Sequence, residues 1–257
     1  VLHRDIDGTP KRNLFLTHLL LGKQRNRDRK AVHRLDRRSN CTISGNSPWI
    51  QERISTVYAV DSEVLLPTVD TSVWAGDSPS LGNYVVTIGG ASYVKGTWDT
   101  LDMLAGSGLS LALVGGVAPD ELSKLRGRAE SLGVELDIKP RLSQGDLVDL
   151  VKGARAVVSL AHDEPFGLTP IEAQAAGTPA LMVDEGGFTY TVVDGVSGRL
   201  PPRGDWGAWH QALEEAADPE TRIRWAAAGR ANIERMGLTP ERQAAELYGL
   251  LGFDEEE

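Results

Sequence analysis

The stretch His162–Gly187, HDEPFGLTPIEAQAAGTPALMVDEGG, follows a short valine-rich run, ARAVVSLA at 154–161. The valine-rich run is typical of a buried strand. After it, Thr169 fits the N-cap of a helix and Pro170 fits the first helical position. The helix is then expected to end near Gly177, with the apolar segment PALMVD forming the next strand. The stretch therefore predicts a strand–helix–strand unit, which decides the fold class.

Two glutamates flank the predicted helix start. Glu164 falls on the loop after the strand, and Glu172 falls at the third helical position. Because parallel α/β sheets bind their ligands at the carboxyl ends of strands, both carboxylates are expected to face one crevice. A glutamate at the third position also completes a capping box with Thr169. On the local pattern alone, this structural role is favoured for Glu172 over a ligand-binding role.

Strand and helix patterns alternate along the chain after Gly82. The predicted strands are NYVVTIGG, LSLALVGG, VELDIKP, ARAVVSLA and PALMVD, with helical patterns between them. Strict alternation with short connections predicts an α/β fold with a Rossmann-like, doubly wound parallel sheet. A short helix is expected from Phe188 to about Asp194, and further helices follow Pro202.

The first 75 residues follow a different pattern. They contain a basic, helix-like stretch and two short strand candidates, CTISGNS and EVLLPTV. These elements are too few to enclose a core by themselves. We therefore interpret residues 1–75 as the remnant of a preceding domain and 76–82 as a linker. Residues 83–236 then form the main domain, and 237–257 form a C-terminal helix with an acidic tail.

Charge is spread unevenly along the chain. The net charge is −9, yet ten Lys and Arg against two Asp between Lys11 and Arg38 give that segment about +8, leaving about −17 elsewhere. This asymmetry indicates contact with an anionic surface or a membrane, although a solvated or domain-covered helix face has the same composition. No aromatic residues interleave with the basic ones, so no nucleic-acid partner is expected.

The cysteine and histidine content limits which disulfides and metal sites are expected. The single cysteine, Cys41, excludes an internal disulfide and fits a reducing compartment. The five histidines show no spacing typical of metal ligands, so no metal site is expected.

Glycine pairs end several of the predicted strands. Gly89 and Gly90 close the first of them, with Lys95 a few residues further on, and Gly186 and Gly187 follow PALMVD. Small residues at such positions let a ligand approach the backbone, and a lysine can neutralise a diphosphate. A tight turn with a surface lysine is the competing interpretation.

The backbone at the predicted helix start is a candidate anion site. The amides of Gly167, Leu168 and Thr169 lie where a helix has unpaired N–H groups and a positive dipole end. Together with Glu164 and Glu172, these amides predict one groove that binds phosphate and hydroxyl groups.

The segment EPFGLTPIE, Glu164–Glu172, resembles the Glu-x7-Glu motif of retaining glycosyltransferase family 4. The segment that follows, EAQAAGTPALMVDEGGFTYTVVDGVSGRLPP, is also similar, and the resemblance extends over residues 40–250 in order and spacing. It implies a two-domain enzyme of GT-B fold, of which this chain holds the C-terminal donor domain, a partial N-terminal domain and the C-terminal helices. The implied reaction moves a hexose from a nucleotide-diphosphate sugar to a carbohydrate or lipid-linked acceptor, with retained configuration.

The resemblance also implies roles for individual residues. By position, Glu164 contacts hydroxyls of the donor sugar and Lys95 contacts its phosphates, which makes these two the catalytic candidates. Glu172 binds the ribose, and the backbone of Phe166–Thr169 meets the diphosphate. Arg141 lies beside the base, the glycine pairs approach the donor, and no cofactor is implied besides that donor.

The chain departs from the family pattern at three positions near the implied site, one of which is Pro140, where a glycine is common before Arg141. Gly90 stands where an arginine is usual, and Tyr190 where a glutamate is usual. The missing cation leaves a second hypothesis open, a nucleotide-sugar-binding module or inactive subunit without transferase activity. The resemblance and the cysteine usage imply a cytoplasmic location, and the basic segment raises the hypothesis of contact with the inner face of a membrane.

Overall fold

The computed structural model describes residues 4–10, 14–76 and 80–253, and side chains in the second range from residue 21 onward. The helices are α1 Leu14–Asp36, α2 Pro48–Tyr58, α3 Thr97–Leu104, α4 Pro119–Leu132, α5 Gln144–Gly153, α6 Leu168–Ala176, α7 Phe188–Thr191, α8 Trp206–Glu215, α9 Pro219–Met236 and α10 Pro240–Leu250. The strands are β1 Ser44–Gly45, β2 Glu63–Val64, β3 Tyr84–Ile88, β4 Ser110–Val114, β5 Leu136–Lys139, β6 Ala156–Ser159, β7 Ala180–Met182 and β8 Gly198–Arg199.

The main sheet has six parallel strands in the order β5-β4-β3-β6-β7-β8. Chain order therefore reverses between β3 and β6, which pair through Val85 with Ala156 and Val86 with Val157. Helices α3, α4 and α8 pack together, as do α5, α6 and α9, so a helical layer covers each face. The predicted Rossmann-like, doubly wound sheet is confirmed, and its crevice falls beyond the carboxyl ends of β3 and β6.

The core lies on both faces of this sheet. Strand residues such as Val85, Leu111 and Val157 have no exposed surface, as expected for continuous apolar runs in a parallel sheet. Two buried tryptophans, Trp209 of α8 and Trp225 of α9, belong to this core. The indole of Trp209 donates to the carbonyl of Pro202 at 3.1 Å, and that of Trp225 to Gly195 at 3.2 Å. Their burial therefore leaves no indole N–H unpaired.

A buried amide network ties α6, α7 and α9 together. Gln174 of α6 donates to the carbonyl of Thr191 at 2.9 Å, and Asn232 of α9 donates to the same carbonyl at 3.0 Å. Asn232 also donates to the side-chain oxygen of Gln174 at 3.2 Å. Gly229 allows this approach, since a Cβ there would lie 2.8 Å from the Gln174 side chain. The network fixes the register of α6, whose amino terminus faces the crevice.

The front part of the chain forms a small second unit of structure. Strands β1 and β2, both within the predicted strand candidates, pair in parallel as a two-stranded sheet beside α2. Residues 4–10 instead lie on the main domain, where Ile6 is fully buried and Asp5 pairs with Lys124 at 3.0 Å. The predicted domain boundaries stay a prediction, and residues 77–79 of the linker and 254–257 of the tail lie outside the described residues.

The short helix after β7 ends earlier than predicted. Helix α7 stops at Thr191 instead of Asp194, because Val192 turns to extended backbone with φ −120° and ψ 134°. The hydroxyl of Ser197 then accepts a hydrogen bond from the Val193 amide at 3.0 Å. This side-chain contact replaces the helical bonding that the sequence pattern suggested.

Candidate functional site

A cleft of about 360 Å³ lies at the crevice beyond β3 and β6. Seven of the predicted site residues line it together: Lys95, Glu164, Phe166, Gly167, Leu168, Thr169 and Glu172. The turn after β3 contributes the lysine, and the β6–α6 loop with the first turns of α6 contributes the others. The reversal of strand order is therefore what brings these segments, distant in sequence, to one place.

An ion pair spans the cleft. The Nζ of Lys95 lies 2.8 Å from Oε2 of Glu164, with 42% and 22% of the two side chains exposed. Water screens a pair this exposed, so its contribution to folding stability is small. The more important consequence is geometric, because the two predicted catalytic groups already face one another across the site.

Two glycines, Gly89 and Gly90, follow β3 and precede Lys95. Gly89 has φ 131°, a conformation that other residues rarely adopt, and its amide donates to the carbonyl of Val114 at 2.8 Å. A Cβ at Gly89 would lie 3.7 Å from the Lys95 side chain. Gly90 is exposed and does not belong to the described residues that line the cleft. The predicted contact of Gly89 and Gly90 with a ligand stays a prediction.

The prediction of a capping box at Glu172 is wrong. Helix α6 starts at Leu168 with Gly167 as N-cap, so Glu172 is the fifth helical residue and Thr169 is not the cap. Gly167 adopts φ 87°, which turns the chain into the helix two residues earlier than the Thr-Pro pattern indicates. Pro170 is tolerated there because N–H groups in the first turn lack helical partners.

The glycine N-cap leaves polar backbone facing the cleft. As the first two helical residues, Leu168 and Thr169 have amides with no partner inside α6. Both residues line the cleft, so these amides and the positive end of the helix dipole are a candidate anion site. A Cβ at Gly167 would lie 2.7 Å from the Phe188 ring, so packing against that ring also favours glycine at position 167.

Glu172 is a half-buried carboxylate without a protein partner. Burial raises the pKa of Glu172 above its ordinary value, and among the described residues no donor or cation pairs with it. A buried carboxylate without a partner is unfavourable for folding unless a ligand supplies the hydrogen bonds. With the capping role removed, this environment favours a ligand-binding role for Glu172.

Replacing Glu172 with glutamine is expected to raise the melting temperature at neutral pH. Burial raises the pKa of Glu172 in the folded chain above its ordinary value of 4.5. The stability linked to the protonated form is therefore complete below that ordinary value and is lost as pH rises through the folded pKa. Glutamine stays neutral, so the advantage of Glu172→Gln should grow with rising pH. Melting curves from about pH 4 to pH 8 measure it.

The exposed Glu130 of α4 provides the control for that experiment. Glu130→Gln should show no such growth, and a pH-independent difference for Glu172→Gln would contradict the burial argument. In the ligand-binding role, Glu172→Gln should also bind a nucleoside diphosphate about tenfold more weakly, measured by calorimetry.

Gly186 and Gly187 lie behind the β6–α6 loop. The amide of Gly187 donates to the carbonyl of Glu164 at 2.7 Å, and a Cβ on it would lie 2.5 Å from the carbonyl of Pro165. A Cβ on Gly186, which has φ 62°, would lie 2.7 Å from the Glu164 carbonyl. Their described contacts therefore support the loop that carries Glu164, and direct contact with a ligand stays a prediction.

Arg141 lies apart from the cleft. It is exposed after the end of β5, two strands away from β3, and is not among the described cleft-lining residues. Its predicted role beside a base stays a prediction.

Sequence reasoning missed the contribution of the front part of the chain. Asn46 and Pro67 line the cleft opposite the main domain. Next to them, the buried hydroxyl of Ser47 accepts from the Ile50 amide at 3.1 Å and donates to the carbonyl of Pro165 at 2.5 Å. The Ser-Pro pair indicates a helix start, but nothing in that pattern reveals a contact 118 residues away.

The strand order, the cleft at its reversal and the cation–carboxylate pair beside a helix amino terminus define a Rossmann-like domain suited to an anionic, hydroxyl-bearing ligand. Comparison with known proteins agrees with that class. Residues 70–232 match the family described as Glycosyl transferases group 1, and the chain belongs to this family.

Individual relatives give the extent of the similarity. A D-inositol 3-phosphate glycosyltransferase of Streptomyces scabiei is 34% identical over 205 residues, which are 78% of this chain and 40% of that protein. The chain thus spans two fifths of that relative's length.

Solved structures show the same fold. Anabaena HepE in complex with UDP-glucose superposes with a TM-score of 0.74 at 20% identity, covering 88% of this chain and 68% of that one. The C-terminal domain of a glycosyl transferase group 1 protein from Francisella tularensis superposes with a TM-score of 0.56 at 19% identity, covering 65% of this chain and 97% of that one.

Proposed function

We propose that this chain is the donor-binding part of a glycosyltransferase. The reaction moves a hexose from a nucleotide-diphosphate sugar to a carbohydrate or lipid-linked acceptor, with retention of configuration. The observation that carries the proposal is the convergence of Lys95, Glu164 and the unpartnered Glu172 on the amino terminus of α6. Family membership and the relatives named as glycosyltransferases support it.

The cleft offers a complementary group for each part of such a donor. The Lys95 ammonium and the amides of Leu168 and Thr169 bind the diphosphate and stabilise the charge that develops as it departs. When the Lys95 ammonium contacts the donor phosphate instead of Glu164, the Glu164 carboxylate accepts hydrogen bonds from sugar hydroxyls. Glu172 accepts from the ribose diol, and the proposal includes no cofactor besides the donor.

A binding module without transferase activity is the second candidate. The observation that favours it is Gly90, which leaves the carboxyl end of β3 with one cation fewer than the resembled family usually has. Both candidates require the chain to bind a nucleotide or nucleotide sugar. A thermal-shift screen with UDP, GDP, ADP and UDP-glucose tests this binding, because ligands that bind the folded state raise its melting temperature. No shift with any of them contradicts both, and release of glucose or transfer products from UDP-glucose favours the enzyme.

We also propose that the basic helix rests on an anionic membrane surface at the cytoplasmic face. Helix α1 and the residues after it expose many cations: Lys23, Arg25, Arg27, Arg29, Lys30, Arg34, Arg37 and Arg38. The apolar residues Leu14, Phe15, Leu19 and Leu20 have side chains outside the described ones. None of the described helices combines the length and apolar composition needed to cross a bilayer.

Binding to anionic vesicles is expected to depend on the cations of α1. Each well-placed Lys or Arg contributes about 1 kcal/mol at such a surface, and salt screens it. Changing Arg25, Arg27 and Arg29 to Gln should therefore abolish most co-sedimentation with phosphatidylserine vesicles. The exposed Arg126 of α4 gives the control Arg126→Gln. Absence of binding by the parent chain at low salt would remove the proposal.

A further inference from the structure

Arg203, in the loop between β8 and α8, connects three separate segments of the domain. Its Nε and Nη2 donate to the two carboxylate oxygens of Glu185, each at 2.8 Å. Its Nη1 donates to Oδ2 of Asp99 at 2.6 Å, and Nη2 also donates to the carbonyl of Ala161 at 3.3 Å. Since a planar guanidinium holds its donors in fixed directions, these contacts set the relative positions of the three segments.

Two of the contacted segments carry the Lys95–Glu164 ion pair. Asp99 belongs to the first turn of α3, four residues after Lys95. Ala161 lies three residues before Glu164, at the start of the β6–α6 loop. The guanidinium therefore joins the turn that holds the lysine to the loop that holds the glutamate.

The third segment supports the same loop from behind. Glu185 lies two residues before Gly187, whose amide donates to the carbonyl of Glu164 at 2.7 Å. The bidentate contact of Arg203 with Glu185 thus fixes the backbone on which the Glu164 loop rests.

His162 completes the connection on the other side of Asp99. Its amide donates to the carbonyl of Val94 at 2.8 Å, and its ring stacks on Tyr93 with a centroid distance of 4.7 Å. Its Nε2 lies 3.8 Å from Oδ2 of Asp99 and has no hydrogen-bond partner among the described residues. Burial and the neighbouring Arg203 cation lower the pKa of His162, so the neutral ring leaves Asp99 to the arginine.

We propose that Arg203 is a positioning residue that fixes the separation of Lys95 and Glu164 in the donor cleft. The proposal rests on the proposed function, since it concerns the two groups assigned to the phosphate and the sugar of one donor. Binding both ends of a ligand at once requires the turn that carries Lys95 and the loop that carries Glu164 to be held in one relative position. A lysine at 203 would keep the charge but lose the forked contacts.

The first test compares ligands with and without the sugar. Calorimetry on Arg203→Lys should show UDP-glucose binding about tenfold more weakly, while the affinity for UDP changes less, because UDP does not need the Lys95–Glu164 separation. Arg222 supplies the control, because it donates to the backbone carbonyls of Ala154 and Arg155, just before β6, and of Ala216, just after α8. Arg222→Lys should lower stability and leave the ratio of the two affinities unchanged.

The second test needs no ligand. In Arg203→Gln, the amide of Gly187 should exchange with solvent faster, whereas Arg222→Lys should leave it protected. The pKa of His162, followed by NMR, should rise in Arg203→Gln because the cation is gone while the carboxylates of Asp99, Asp163 and Glu185 remain.

The outcomes separate this inference from the proposed function. If the parent chain binds neither UDP nor UDP-glucose, the proposed function is contradicted, and exchange at Gly187 alone decides whether Arg203 holds the loop. If the parent binds both ligands and Arg203→Lys keeps their affinity ratio, the positioning role is overturned.

Discussion

Glu164→Gln is expected to reduce transfer from the donor by about 10²–10³-fold, the largest effect predicted for any single substitution in the cleft. The substitution keeps the size of the side chain and removes the charge that pairs with Lys95 at 2.8 Å. In the proposed function, it also removes the carboxylate assigned to accept strong hydrogen bonds from sugar hydroxyls as the glycosidic bond breaks. Initial rates with the donor found in the thermal-shift screen measure the effect.

The neighbouring Asp163 makes a stringent control for Glu164→Gln. Asp163 is exposed, has φ 50° and lies in the same loop, and asparagine tolerates that backbone conformation. Asp163→Asn therefore removes one negative charge from the same loop without touching the ion pair. Equal rates for the two variants would show that Glu164 acts only through the overall charge of the loop.

Lys95→Ala is expected to weaken binding of a nucleoside diphosphate by about 10- to 100-fold. Of the described residues that line the cleft, Lys95 is the one cation, so its loss leaves only backbone amides to face the phosphates. The remaining Glu164 carboxylate would then repel the diphosphate. Calorimetry with UDP gives the measurement.

Gly90→Arg tests the same phosphate site in the opposite direction. Gly90 does not have positive φ, and a Cβ there would lie 3.2 Å from the carbonyl of Gly116, so only a small adjustment is needed. A second cation beyond β3 should raise the affinity for UDP. Lys139, which pairs with Asp137 at the sheet edge, serves as the control position through Lys139→Ala. Equal UDP affinities of the parent, Lys95→Ala and Gly90→Arg would place the phosphate site elsewhere.

The sheet was predictable because five of its six strands carry their own signal, whereas the two-residue strand β8, Gly198–Arg199, has no apolar run and was not predicted. Apolar runs such as Val85–Val86 and Val157–Val158 are buried on both faces, and short connections allow few arrangements of parallel strands. The start of α6 was not predictable from Thr169 and Pro170, since Gly167 takes the N-cap through its positive φ.

Parts of the site that depend on long-range contacts were also beyond the sequence pattern. Arg203 and Asp99 are 104 residues apart, and a local pattern contains no information about their meeting. The same holds for Ser47, which reaches the loop before α6 from the other part of the chain. The burial of Glu172 is likewise a property of the folded chain, so its lack of a partner emerged only from the structure.

The ion pair between Lys95 and Glu164 has a consequence for competition among cellular anions. Inorganic phosphate would draw Lys95 away from Glu164 and leave that carboxylate facing an anion that repels it. A sugar diphosphate instead offers phosphate to the lysine and hydroxyls to the glutamate in one molecule. Only the complete donor offers sugar hydroxyls to the Glu164 carboxylate while its phosphates contact Lys95. We therefore expect abundant free phosphate to be a poor competitor for this cleft.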